Sequence, residues 1–97
     1  MTAILYEVVI TVGSEIRADY LSWLRQHMDE MKTIDGFTSA TLFNNSENEN
    51  ELTCHYGLTD MAAMEAYLNG AAKDMRADGI KRFGDKFIAK RRILTKQ

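Results

Sequence analysis

The sequence predicts an α+β fold of the ferredoxin-like type, with a four-stranded antiparallel sheet and two helices on one of its faces, in the order β-α-β-β-α-β. Three observations lead there. Apolar residues alternate over residues 4–12 and 86–94, near the two ends of the chain, with the period of two that marks strands. Two stretches between them carry apolar residues at helical spacing, each behind a capping residue. A polar, turn-prone run over residues 44–51 parts two further short strands, as in a hairpin. Right-handed βαβ crossovers then put both helices on the same face.

Taken in order, ILYEVVITV over residues 4–12 sets Ile4, Tyr6, Val8, Ile10 and Val12 on one face and Leu5, Glu7, Val9 and Thr11 on the other. Its length and β-branched content favour a strand, which Gly13 ends. Ser14 is the expected N-cap of the first helix, with Glu15 at its positive end. That helix is predicted to run to Ile34, with Ile16, Tyr20, Trp23, Leu24, His27, Met31 and Ile34 in its apolar stripe. Asp35-Gly36 supplies the stop, Gly36 taking the left-handed position. FTSATLF (37–43) and LTCHYGL (52–58) are the hairpin strands. Thr59 or Asp60 caps the second helix, whose stripe is Met61, Met64, Leu68, Ala71, Ala72 and Met75. Gly70 and Gly79 predict a break or bend in it. FGD (83–85) is a turn, and KFIAKRRIL (86–94) the last strand.

The 97 residues make one domain, residues 1–97, with 45% apolar and 27% charged residues, ordinary for a globular chain. A formal net charge of −2 argues against general nucleic-acid or membrane-surface binding. No apolar run reaches transmembrane length, and the N-terminus lacks the pattern of a signal peptide. The lone Cys54 excludes an internal disulfide or a multi-cysteine metal site, so a reducing cytoplasm is the expected location. Lys81, Arg82, Lys86, Lys90, Arg91, Arg92 and Lys96 crowd the C-terminal end, and Glu47, Glu49 and Glu51 cluster mid-chain. They are solvated faces, or else an anion site or charge-matched contact between subunits.

Two helices cover one sheet face only. The strands show apolar residues in both registers: Leu5 and Val9 against Tyr6, Val8 and Ile10, Phe37 and Phe43 against Ala40 and Leu42, and Phe87, Ala89 and Ile93 against Ile88 and Leu94. A half-solvated sheet alternates more cleanly. The expected partner is therefore a second copy, packed sheet to sheet in a two-fold homodimer.

Several stretches carry a resemblance: ILYEVVITV, WLRQHM, GFTSATLF, AYL and KRFGDKFIAKRRIL. Together they resemble a bacterial domain family of unknown function (family 4286 of its kind) in the dimeric α/β-barrel superfamily, whose best-known relatives are antibiotic-biosynthesis monooxygenases. The resemblance spans nearly the whole chain, and the FGDxF turn and the helix-one histidine are its most distinctive parts. It implies a ferredoxin-like protomer, a sheet-to-sheet dimer and no established reaction. His27, Tyr67, Arg76, Phe83 and Arg91 match the family pattern, while Lys90 and Arg92 depart from it, since an apolar or small residue is expected there.

His27 is the leading candidate for chemistry. A neutral imidazole between sheet and helix can act as acid, base or ligand near pH 7. The alternative is a core histidine bonded to a backbone carbonyl or to the hydroxyl of Tyr6 or Tyr56. Strand alternation puts His55 on the opposite sheet face from His27, so the two cannot share a metal, and neither metal nor cofactor is expected. Cys54 reads as a small core hydrophobe. Arg91, in an otherwise apolar strand, needs an anion. Pairing with Glu7 makes it structural, whereas a pocket shared with His27 points to a small anionic ligand bound by His27, Arg91, Tyr6, Tyr56 and Trp23.

Three function classes follow: a dimeric binding module, a cofactor-independent monooxygenase or isomerase using His27, and an RNA binder. The third lacks stacking aromatics on the central strands. The Asn, Trp and His pattern of haem-degrading relatives is missing, as are the Cys-x-x-Cys of metallochaperones and the anion-cradling loop of acylphosphatases.

Overall fold

A computed structural model describes residues 2–97. Four strands, β1 (Ile4–Val12), β2 (Phe37–Asn45), β3 (Asn48–Leu58) and β4 (Phe87–Thr95), alternate with three helices, α1 (Arg17–Met31), α2 (Met61–Asn69) and α3 (Ala72–Phe83). The sheet order is β2-β3-β1-β4, with every neighbouring pair antiparallel. This is the expected ferredoxin-like arrangement, with one helix more than predicted. Among the described residues no helix is long and apolar enough to cross a membrane.

β1 matches its predicted bounds, and its alternation is the foundation of the core. Ile4, Tyr6, Val8, Ile10 and Val12 are buried, as are Leu52, Cys54, Tyr56 and Leu58 of β3. Tyr20, Leu24, Met28 and Met31 of α1 and Met64 and Tyr67 of α2 close over them. Each such buried side chain contributes on the order of 1.5–3 kcal/mol.

The helix ends depart from prediction. Ser14 does not cap α1: Ile16 is the N-cap and no side chain bonds the first turn. The chain enters through a backbone turn, Ile16 N–H to Gly13 O at 3.1 Å. At the far end, Thr33 and Ile34 donate back to Glu30 and Met31 at 3.0 and 3.1 Å, which tightens the last turn and ends α1 at Met31 instead of Ile34. Gly36 has φ +89°, and a Cβ there would run into the Ala63 methyl of α2, so the stop requires glycine.

Asp60 caps α2, its carboxylate accepting from Ala63 N–H at 2.8 Å. The expected break falls at Gly70, which has φ −125° and ψ −97° and donates to Tyr67 O. Gly79 stays inside α3. Met61 and Leu68, predicted for the core, are 39% exposed, and Tyr67 takes their place.

The polar run 44–51 is mostly strand rather than loop. Its turn is short: Asn45 Oδ1 accepts from Glu47 N–H at 2.8 Å, and Asn45 Nδ2 donates to Glu51 at 2.8 Å across the hairpin. β2 carries a bulge between Phe37 and Ser39. Buried Gly57 lies opposite, and a Cβ there would come within 2.6 Å of Ser39 Oγ and 2.8 Å of Thr38 Oγ1. The extra residue turns Phe37 into the core, while Phe43 stands 46% exposed on the other face.

Candidate functional site

Between the sheet and the helices lies a cavity of about 580 Å³, within the usual range for small-molecule sites. Its floor is the helix-facing side of β1, β3 and β4: Tyr6, Val8, Cys54, Tyr56, Phe87 and Arg91. Arg91 reaches this side because β4 pairs with β1 in a register that aligns Arg91 with Val8 and Arg92 with Glu7. Its roof is α1 and α3, with Tyr20, Trp23, Leu24 and His27 facing Met75, Arg76, Gly79 and Ile80.

The roof is closely packed where the two helices meet. Gly79 lets α3 approach so closely that a Cβ would stand 2.9 Å from Cη2 of Trp23. The indole N–H donates to Asp78 at 2.9 Å, satisfying the polar edge of a half-buried ring. That bond holds the Asp78 carboxyl below its ordinary range. Tyr20 packs between Trp23, Phe83 and Phe87 at centroid distances of 5.0–5.4 Å.

All five residues expected at a ligand site, His27, Arg91, Tyr6, Tyr56 and Trp23, line this one cavity. Their bonding differs from expectation. His27 makes no hydrogen bond to Tyr6 or Tyr56; its ring stacks on Trp23 at 4.7 Å. Burial holds its pKa below the ordinary value, and the Arg91 charge adds to this against the opposing pull of Glu30 and Asp78. Tyr6 instead accepts from Arg76 Nη2 at 3.1 Å. Glu7 does not pair with Arg91, because the two lie on opposite faces of the sheet. On the open face Glu7 accepts from Arg92 at 2.6 Å and contacts His55 at 2.8 Å. Both contacts lower its pKa, the Arg92 bond most. His55 therefore lies across the sheet from His27.

Burial pushes the Cys54 thiol up to about 11 and the Tyr67 hydroxyl up to about 12, and raises Tyr20 and Tyr56 as well. These groups are neutral at pH 7 and serve as hydrogen-bonding and apolar walls, not as nucleophiles. Arg76 and Tyr67 reach the site from α3 and α2, and only the family resemblance pointed to them. Asp78 and Gly79 went unsuspected as parts of the site. The one available signal was that a half-buried indole needs an acceptor.

The profile of the family described as Domain of unknown function (DUF4286) matches residues 3–97. No curated protein matches the chain. Among solved structures, the fold is similar to SnoaB, a cofactor-independent oxygenase from Streptomyces nogalater, at 15% identity and a TM-score of 0.79 over 100% of this chain and 95% of that one. It is similar to a conserved protein from Methanosarcina mazei at 13% identity and a TM-score of 0.77, covering 99% and 95% of the two chains. It is also similar to an antibiotic biosynthesis monooxygenase at 10% identity and a TM-score of 0.74, covering 96% and 98%. At these identities the likeness is one of fold.

Proposed function

This chain belongs to the DUF4286 family, and from that premise we propose that it is a cytoplasmic homodimer that binds a small anionic molecule in the cavity between sheet and helices. One observation carries the ligand reading: two guanidinium groups, Arg76 and Arg91, line an otherwise mainly apolar cavity, and neither pairs with a carboxylate among the described residues. Arg76, half-buried, favours an anion there, and Arg91, exposed at the cavity's margin, adds its charge. His27, Tyr6, Tyr56 and Trp23 form the remaining contacts.

The dimer reading rests on the face the helices leave bare. Leu5, Val9 and Leu94 are only partly covered there, and Phe43 and Ile88 are 46% and 64% exposed. Glu7, Arg92 and His55 satisfy one another near the middle of this face, which leaves Lys90, opposite Val9, as the cation a partner would have to meet. A second copy offers the same apolar surface and the same self-compensated centre.

Thermal melts with small carboxylates, phosphates and sulfonates beside their uncharged counterparts test the ligand reading. Anions should raise Tm, and Arg91→Gln should cancel the rise; no response to any anion would defeat it. Sedimentation equilibrium tests the assembly, with dimer expected for the natural chain and monomer for Phe43→Glu.

A second reading, a cofactor-independent monooxygenase or isomerase using His27, is favoured by a specific observation. The imidazole is depressed in pKa and stands in the cavity wall, where it can accept a proton at neutral pH. Oxygen uptake with a readily oxidised hydroquinone, above the uncatalysed rate and lost in His27→Gln, would support it.

A further inference from the structure

The open face of the sheet carries two charges that its own chain leaves unmatched. Strand pairing sets the outward side chains in rungs. Glu51 of β3 shares a rung with Thr11 and Ile88; the next holds Thr53, Val9 and Lys90, and the one after it His55, Glu7 and Arg92. That third rung compensates itself, since Glu7 contacts both Arg92 and His55. Glu51 and Lys90 stand on either side of β1 and form no ion pair with each other or with any described residue. Glu51 accepts one bond, from the neutral Asn45 amide, so its charge stays uncompensated. Each copy therefore presents one unmatched acid and one unmatched base beside the exposed Ile88.

The same polarity continues past the last rung. Glu47 and Glu49 lie exposed where the hairpin turns. Arg17 reaches this end from α1 but bonds the Glu49 carbonyl and the Asn44 amide oxygen, not a carboxylate. On the other side of β1, exposed Lys86 sits level with Gly13, whose N–H its carbonyl accepts at 2.9 Å. One end of the sheet is thus acidic on the β3 side and basic on the β4 side.

Two aligned ways of packing this face on a copy of itself treat these charges differently. With a central two-fold axis across the strands, each strand lies over its own counterpart, and Lys90 and Arg92 meet the same two cations of the partner. With the axis along the strands, the strand order reverses while the rungs stay level, so β3 of each copy lies over the β1–β4 side of the other. Glu51 then falls beside the partner's Ile88 and the partner's Lys90, twice over by symmetry, and the acidic hairpin end faces the partner's Lys86. Like charges brought together oppose association, whereas complementary ones fix its register.

Resting on the homodimer reading above, we propose that the two copies pack about an axis parallel to their strands, with Glu51 of each paired to Lys90 of the other. The acids clustered mid-chain and the bases near the C-terminus are then two halves of one reciprocal contact.

Sedimentation equilibrium on the full chain tests this with Glu51→Lys and Lys90→Glu, each shown to be folded by circular dichroism. Either substitution alone puts like charges at both contacts and should weaken the dimer about tenfold or more. An equimolar mixture of the two variants should recover the natural affinity, because a mixed pair has opposite charges at both contacts; the double variant should do the same. Natural affinity in both single variants, or folded single variants that stay weak when mixed, overturns the pairing and leaves the dimer standing. A tighter dimer with Lys90→Glu overturns the orientation, since it would set position 90 against the partner's Arg92. A natural chain that is monomeric at every concentration defeats the homodimer reading itself.

Discussion

The indole of Trp23 stacks on the imidazole of His27 one turn further along α1, with centroids 4.7 Å apart. The contact takes one face of the imidazole out of water. It contributes to the burial that holds His27 below its ordinary pKa.

This pairing makes stability depend on pH. The unfolded chain protonates His27 near its ordinary value of 6.5, whereas the folded chain does so only at lower pH. Between the two values the unfolded state binds more protons, so stability falls as pH falls. Urea midpoints should be flat above about pH 7 and decline below about pH 6.5. His27→Phe, which keeps an aromatic ring against Trp23, should remove the part of the decline that lies above the range where carboxylates titrate.

Glu7 governs the acid end. Its folded pKa is depressed, so its contribution is present above the unfolded value of 4.5 and is lost as pH falls through the folded one. Glu7→Gln should shallow the acid limb. At pH 7 the cost should stay below about 1 kcal/mol, since the Arg92 partner is largely in water. Acid titration followed by circular dichroism reads both effects.

Gly36→Ala should destabilise by about 1–3 kcal/mol from backbone strain alone, with the clash against Ala63 added. Adding Ala63→Gly should restore the clash component and leave the strain. A double substitution no better than the single one would place the whole cost in the backbone.

Cys54 is fully buried, its Sγ lies 3.7 Å from Met28 Sδ, and its pKa is pushed up to about 11. Iodoacetamide at about pH 8 should label it only as fast as the chain unfolds. Rapid labelling of the native protein would mean that the cavity opens as far as the β3 floor.

The strands and the helix-facing core were legible because alternation is a local signal, and burial on one face enforces it. β1 was read to the residue. The hairpin was misjudged because β3 begins in polar residues held by cross-strand and turn bonds such as Asn45–Glu51, which compositional reading assigns to loop. Ser14 was an expected cap that the chain replaces with a backbone turn at Gly13. At the site, alternation separated His55 from His27, but it could not decide between Glu7 and a ligand as the partner of Arg91. Only the pairing of β4 with β1 aligns Glu7 with Arg92 and leaves Arg91 on the far side. Arg76 was beyond such reasoning, since its position depends on where α3 restarts after Gly70.

The irregularity at Phe37–Ser39 has a consequence for length variation. In an unbroken strand Phe37 and Phe43, six residues apart, share a side; the surplus residue puts Phe37 in the core and leaves Phe43 on the open face. Excising Thr38 alone would restore simple alternation and force one of the two rings onto the wrong side. A single-codon deletion here should therefore harm the protein more than any conservative replacement of either phenylalanine, and natural variants of the strand should vary in composition while keeping its length.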